Sequence, residues 1–206
     1  IKDQIGIVHD TIKFREDELH EFTKTRLNLI EGKIEDDENI VKIQNDIDKE
    51  YRVLIVCNTI KKAQQIYDKI DCSNKILLHS AFNVVDRSKI ENKIIKHENS
   101  NDKIQVLVGT QAIEVSLDLD YDCCYSEIAS IDSLIQRFGR VFRNRKRQKG
   151  EYGDVHVFTE ADRATSFIYN EESEDQKYNF LDLTLQFLKK FNGKPLDYTS
   201  VCSGVD

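Results

Sequence analysis

The chain has 206 residues, 39% of them hydrophobic, enough for one well-packed domain and too few for two large ones. Its formal net charge of -7, in a composition that is 33% charged, argues against a nucleic-acid coat protein with a uniformly basic surface. It leaves room for a motor that gathers positive charge in one stripe. No apolar run approaches the ~20 residues of a membrane span, and five cysteines without a C-x-x-C pair or a His at finger spacing argue against zinc.

Cys57, Cys123 and Cys124 fall in apolar runs and are expected to pack as small hydrophobes, which suits a reducing, cytoplasmic setting. The first residues show neither a signal-peptide pattern nor an initiator Met, so a piece of a longer chain is expected.

Residues 1–25 hold a short alternating stretch, Ile5 and Ile7, then Thr11, Lys13 and Phe14, which reads as an irregular strand or hairpin. From about Glu31 to Glu50 the spacing of Ile40, Ile43, Ile47 and Tyr51 predicts an amphipathic helix. The run VLIVC (53–57) is short, continuously apolar and β-branched, and predicts a buried strand. A helix over 59–70, a strand at 76–78, a helix over 84–97, and strands at 104–110 and 121–127 follow. A helix over 131–142, a strand at 154–158, and a C-terminal third that reads helical through Phe191 complete the pattern. Buried strands alternating with helices predict an α/β fold, a parallel sheet covered on both faces. The expected division is an extension over 1–52 packed on the lobe, a core over 53–160, and a helical segment over 161–206. Such sheets bind ligands at the carboxyl ends of their strands, here just after Cys57, Leu78, Val108 and Ser126.

Two segments at those positions carry chemistry. The first is Gln136-Arg137-Phe138-Gly139-Arg140-Val141-Phe142-Arg143. On a continuous helix Gln136, Arg140 and Arg143 share one face, with Arg137 and Phe138 pointing elsewhere. Two guanidinium forks beside an amide suit a triphosphate, because arginine stays charged and meets phosphate oxygens bidentately. Delivered across a cleft, such residues offset charge on a transferring phosphoryl group. A solvated basic helix is the bland alternative, and Gly139 in its interior, which would cost ~1 kcal/mol there, speaks against it. From Ser133 to Gly150 there is no Asp or Glu, so this is the positive stripe that the net charge conceals. Lys146 to Lys149 suit nucleic acid or a solvated loop equally.

The second segment runs from Val106 to Asp120, where a strand ends in Gly109-Thr110-Gln111-Ala112-Ile113-Glu114 and Ser116-Leu117-Asp118-Leu119-Asp120 follows. Thr110 can donate to a backbone phosphate and Asp118 can accept from a ribose hydroxyl. Asn58 and Thr59 open the turn after the first core strand, where capping of the next helix explains them as well as nucleic-acid contact does.

In these two segments the sequence resembles superfamily 2 helicases, whose second lobe carries T-Q-x-x-E-x-S-L-D-x-D and then Q-R-x-G-R-x-x-R. The wording with Glu114, Ser116, Asp118 and Asp120 is similar to the Cas3 family. Asn58-Thr59 with Ala63 resembles its N-T-x-x-x-A element, and Leu78-His79-Ser80 with Asp86-Arg87 resembles H-S-R…D-R, with Ala81 standing where an arginine is expected. The resemblance covers about Val53 to Arg143.

It implies a RecA-like second lobe of an ATP-dependent helicase acting on single-stranded DNA in CRISPR interference. It further implies that Arg140 and Arg143 are arginine fingers, with Gln136 and Asp118 on the nucleotide and Thr110, Asn58, Thr59, His79 and Ser80 along the strand. ATP with Mg2+ would be bound mainly by a first RecA-like lobe outside this chain. The other implied partners are a CRISPR effector complex and an HD nuclease domain, with no membrane and no metal site in this lobe. A non-catalytic scaffold with a helicase-derived fold, or the lobe of another superfamily 2 translocase, fits the same residues.

No G-x-x-x-x-G-K-[ST] loop is present, since Gly32-Lys33 and Gly193-Lys194 lead into Ile34 and Pro195. Asp17-Glu18-Leu19-His20 spells a D-E-x-H box, but no buried strand precedes it, so a chance match in an acidic chain is the better account. His9-Asp10 likewise lacks partners at metal-site spacing. The fragment alone is therefore expected to be inactive.

Overall fold

The computed structural model describes residues 24–114, 117–143, 148, 150–169, 171–172 and 177–196. Its centre is a six-stranded, fully parallel sheet of β1 (Thr25–Ile30), β2 (Val53–Val56), β3 (Lys75–Leu78), β4 (Val106–Gly109), β5 (Cys123–Glu127) and β6 (Gly153–Phe158). The strand order is β1-β6-β5-β2-β4-β3. The helices are α1 (Asp37–Asp48), α2 (Ile60–Lys69), α3 (Val84–Glu98), α4 (Ile131–Phe138), α5 (Arg163–Tyr169) and α6 (Phe180–Lys189). A two-stranded antiparallel pair, Glu171–Glu172 with Lys177–Tyr178, lies between α5 and α6.

Every residue of β2 and β4 is buried, as the unbroken apolar runs require of central parallel strands. Alternate side chains feed two cores. Leu54, Val56 and Leu107 enter one with Leu134 and Phe138 of α4, while Val53, Ile55 and Val108 enter the other with Ile43 of α1 and Ile66 of α2. The paired registers Val56 with Gly109, Val56 with Ser126, and Leu78 with Gly109 bring the carboxyl ends of four strands to one edge. The chain crosses from β4 to the other side of β2 to make β5, so β2 and β5 flank the crossover, where open α/β sheets place their ligands.

Three expectations change. The segment 25–30 is not an extension resting on the lobe; it hydrogen-bonds along β6 as an edge strand of the same sheet. The helix expected over 131–142 stops at Phe138, with Gly139 as its cap at φ -62 and ψ -3. Beyond it Tyr121 takes over the backbone: its N–H donates to the Arg140 carbonyl (2.9 Å), and its carbonyl accepts from the Phe142 N–H (3.0 Å). Phe142 turns the chain at φ 51. Gln136, Arg140 and Arg143 therefore do not share a helical face, and Gly139 ends the helix rather than interrupting it. The C-terminal third is broken into α5, the short strand pair and α6 rather than being continuously helical. The alternating stretch expected over 1–25, the Asp17–His20 string and the His9-Asp10 pair lie outside the described residues, apart from Lys24 and Thr25.

Candidate functional site

At the carboxyl edge the first turn is Asn58-Thr59. Thr59 caps α2, its hydroxyl accepting from the Lys62 N–H at 3.3 Å, which satisfies one of the free donors of a helix start. Asn58 is buried and committed. Its N–H donates to Glu127 Oε2 (2.6 Å), and its side-chain amide donates to the Ile128 carbonyl (2.8 Å) and to Thr165 (3.3 Å). Its N–H and side-chain amide are thus both taken up within the fold.

His79 is also buried, stacked on Phe82 with ring centroids 4.1 Å apart. Burial lowers its pKa, and its Nδ1 finds no hydrogen-bond partner among the described residues. Ser80 beside it is exposed. Thr110 is buried at the end of β4, its N–H donating to the Leu78 carbonyl at 3.2 Å. Of the five expected strand contacts, Ser80 and half-buried Thr59 thus reach the surface, while Asn58, His79 and Thr110 sit beneath it.

Arg137, expected to point away from the chemistry, is instead the largest fully buried side chain, at 0% exposure. Its guanidinium makes five hydrogen bonds: to Glu114 Oε1 (2.8 Å), Ser126 Oγ (2.9 Å), the Glu127 carbonyl (3.3 Å), Asn58 Oδ1 (3.2 Å) and the Tyr169 hydroxyl (2.9 Å). Such a charge is tolerated in an interior only when paired and fully hydrogen-bonded. Glu114 then ties it to the next arginine, because the Glu114 carbonyl accepts from Arg140 Nη2 at 2.6 Å.

A second buried charge lies alongside. Lys62 meets Glu127 at 2.5 Å, Asp162 at 2.8 Å and Glu35 at 3.5 Å. Burial opposes its charge, but the hydrogen bonds to Asp162 and Glu127 outweigh it and raise its pKa. Burial likewise works against the Asp162 carboxylate, yet Lys62 and the Thr165 N–H hold its pKa down to about 2. Burial lifts Glu127 against the pull of Lys62 and the Asn58 N–H. The sequence signal for this network was a carboxylate, Glu127, closing an otherwise buried strand.

On the other side of α4 an open cleft of about 470 Å³ is lined by Gln136, Gly139, Arg140, Arg143, Lys24 and Glu114, among others. The three polar residues expected on one helical face thus line one cleft by a different route, through the turn after Gly139. Asp118 reaches the same place: its carboxylate meets Arg143 Nε at 3.1 Å, with 71% and 40% of the two side chains exposed. Arg143 is held further by its N–H to Asp120 Oδ1 (3.1 Å) and its carbonyl to Lys24 Nζ (2.8 Å). Arg145, Lys146, Arg147 and Lys149 of the basic stretch lie outside the described residues. Among the described residues no group of three or more His, Cys, Asp or Glu is placed to hold a metal ion, and no helix is long and apolar enough to cross a membrane.

The chain matches known proteins in sequence as well as in fold. A family model described as CRISPR-associated nuclease/helicase Cas3, C-terminal, matches residues 49–146. The CRISPR-associated nuclease/helicase Cas3 of Methanothermobacter thermautotrophicus is 34% identical over 173 residues, covering 82% of this chain and 20% of that protein. The chain belongs to the Cas3 helicase family. The CRISPR-associated endonuclease/helicase Cas3 of Escherichia coli K12 is 32% identical over 116 residues, 52% of this chain and 13% of that protein. The fold agrees with the crystal structure of T. fusca Cas3-ADP, at a TM-score of 0.72 and 25% identity over 89% of this chain and 23% of that one. The chain spans about a fifth of the length of the Cas3 relatives it matches. The Cas3-matched segment holds every expected site residue from Asn58 to Arg143, whereas Glu35, Asp162, Thr165 and Tyr169 join the buried network from outside it.

Proposed function

We propose that this chain is the second motor lobe of an ATP-driven Cas3 helicase that moves along single-stranded DNA in CRISPR interference. The observation that carries the reading is the cleft in which Gln136, Arg140 and Arg143 converge. ATP with Mg2+ would be held mainly by a first RecA-like lobe facing this cleft.

Arg140 and Arg143 would offset charge on the γ-phosphate as it transfers, Gln136 would orient the phosphates, and Asp118 would meet the ribose. Asp118 also pairs with Arg143 Nε at 3.1 Å. Nucleotide would exchange that exposed pair for two contacts of its own. Thr59 and Ser80 would touch strand phosphates directly, with Asn58, His79 and Thr110 shaping the edge beneath them. Closing on ATP and opening after hydrolysis would ratchet the lobes along the strand. Relatives are named CRISPR-associated nuclease/helicase; this lobe would work beside an HD nuclease and a CRISPR effector complex, and alone it would not hydrolyse ATP.

The test is Arg143→Ala in the full-length protein. Removing an arginine finger lowers kcat for ATP by roughly 10³-fold or more, with nucleotide affinity little changed. Unchanged turnover refutes the finger role, and strand binding indifferent to ATP in the two-lobed protein favours the scaffold reading instead.

A further inference from the structure

The segment matched by the Cas3 family model ends at residue 146, yet one hydroxyl beyond it touches three parts of that segment. Tyr169, the last residue of α5, accepts from Arg137 Nη2 (2.9 Å) and from Gln111 Nε2 (3.2 Å), and donates to Asn58 Oδ1 (3.4 Å). Asn58 belongs to the turn after β2, Gln111 to the turn after β4, and Arg137 to the helix that leads into the arginine cleft. A phenol has one donor and two acceptor sites, so these three contacts use all of them.

Its helix is fixed in place from the same side. Thr165, one turn earlier, accepts from the Asn58 amide (3.3 Å), and Asp162 before it pairs with buried Lys62 (2.8 Å). The opposite side of α5 carries Phe167, 88% exposed. Arg137 in turn reaches Glu114, whose carbonyl holds Arg140. The path from the strand edge to the finger therefore enters Arg137 twice, directly from Asn58 and from Gln111 through Tyr169, and continues through Glu114 to Arg140, each step a hydrogen bond of 3.4 Å or less.

We infer that Tyr169 is a positioning residue that couples occupancy of the strand edge to the placement of Arg140, so that its hydroxyl sets how strongly single-stranded nucleic acid stimulates ATP hydrolysis. This rests on the motor-lobe reading above. The hydroxyl does not touch the reacting atoms; it fixes the spacing of the groups that do. Without it Arg137 keeps its direct 3.2 Å bond to Asn58 Oδ1 and Gln111 keeps the Asn58 carbonyl, so the fold survives while Gln111 loses its own link to Arg137 through the phenol.

The experiment uses the full-length protein with Tyr169→Phe, and Phe167→Ala as a control on the exposed side of the same helix. ATP hydrolysis is measured with and without an oligo(dT) single strand, together with KM for ATP and the thermal unfolding midpoint. The ratio of the two rates is expected to fall about tenfold in Tyr169→Phe, the rate equivalent of one hydrogen bond to a charged group. KM and the midpoint stay close to wild type, and Phe167→Ala keeps the full ratio. A ratio within twofold of wild type in Tyr169→Phe overturns the inference. Equal losses in both rates also overturn it, because that is the signature of structural support alone. A wild-type protein whose hydrolysis the strand does not stimulate refutes the motor-lobe reading itself, and this inference falls with it.

Discussion

Replacing Arg137 by Met keeps most of the aliphatic volume and removes the guanidinium. Five hydrogen bonds disappear at a position with 0% exposure. The loss is not the sum of five ordinary bonds, because the partners fare differently. Ser126 still donates to the Glu127 carbonyl at 2.7 Å, and Asn58 still has Ile128 and Thr165. Glu114 is the group most exposed to damage. Its Oε1 loses a 2.8 Å ion pair, while its Oε2 keeps the Ser133 hydroxyl at 3.4 Å. A carboxylate with only 9% of its side chain exposed, stripped of its partner, dominates the cost, and breaking a buried pair from one side typically costs about 3–5 kcal/mol. In a domain of this size each kcal/mol lowers the midpoint by roughly 2–4 °C, so a drop of about 10 °C is expected. Circular dichroism through a thermal ramp measures it, and urea denaturation should give a matching loss at an unchanged slope. Arg137→Lys, which keeps the charge but not the fork, should fall between the two proteins. A midpoint within about 2 °C of wild type for Arg137→Met would mean that the buried network does not hold the carboxyl edge together, and the path from Asn58 to Arg140 would lose its anchor.

The parallel sheet was legible because its central strands are buried on both faces. VLIV and VLVG have no polar alternation to confuse with a surface strand, and Thr59 and Asn83 mark the helix starts they cap. The edge strand β1 was not legible. TRLNLI carries Arg26 and Asn28, whose side chains meet Asp154 of β6, and an edge strand that satisfies polar residues against its neighbour looks like a loop in sequence. The end of α4 was misread for a related reason. Gln136, Arg140 and Arg143 fit a helical period, but the backbone after Gly139 is claimed by Tyr121, a partner far away in sequence and invisible to periodicity. Gln136, Arg140 and Arg143 nevertheless line one cleft, although the route between them is a turn and not a helix. Arg137 shows the converse limit. A guanidinium in a motif rich in arginine reads as another phosphate ligand or a bystander, and nothing in the sequence says that Glu114, Ser126, Asn58 and Tyr169 surround it.

Two further perturbations probe how the cleft and the buried charges are held. A Cβ on Gly153 would lie 2.3 Å from Val141 Cγ1 and 2.7 Å from Phe142 Cδ2, so Gly153→Ala must push the turn between Arg140 and Arg143 outward. A loss of about 1–3 kcal/mol is expected from such overpacking, read by urea denaturation; a neutral effect would show that this turn moves freely. Asp162→Asn tests the ion pair with Lys62. The carboxyl has an ordinary pKa of 3.8 and is held to about 2 in the folded state. A folded pKa below the unfolded one contributes stability that is fully present above about pH 4 and is lost as the pH falls through 2. Because 30% of the side chain is exposed, solvent screening reduces the contribution to about 1 kcal/mol. Wild type should therefore exceed Asp162→Asn by that amount from pH 7 down to about 4, and the two should converge toward pH 2 in urea midpoints taken across the series. A gap that stays constant to pH 2 would place the stabilisation in the 2.7 Å bond from the Thr165 N–H, which an Asn side-chain oxygen also accepts, or in packing, rather than in the charge on Asp162.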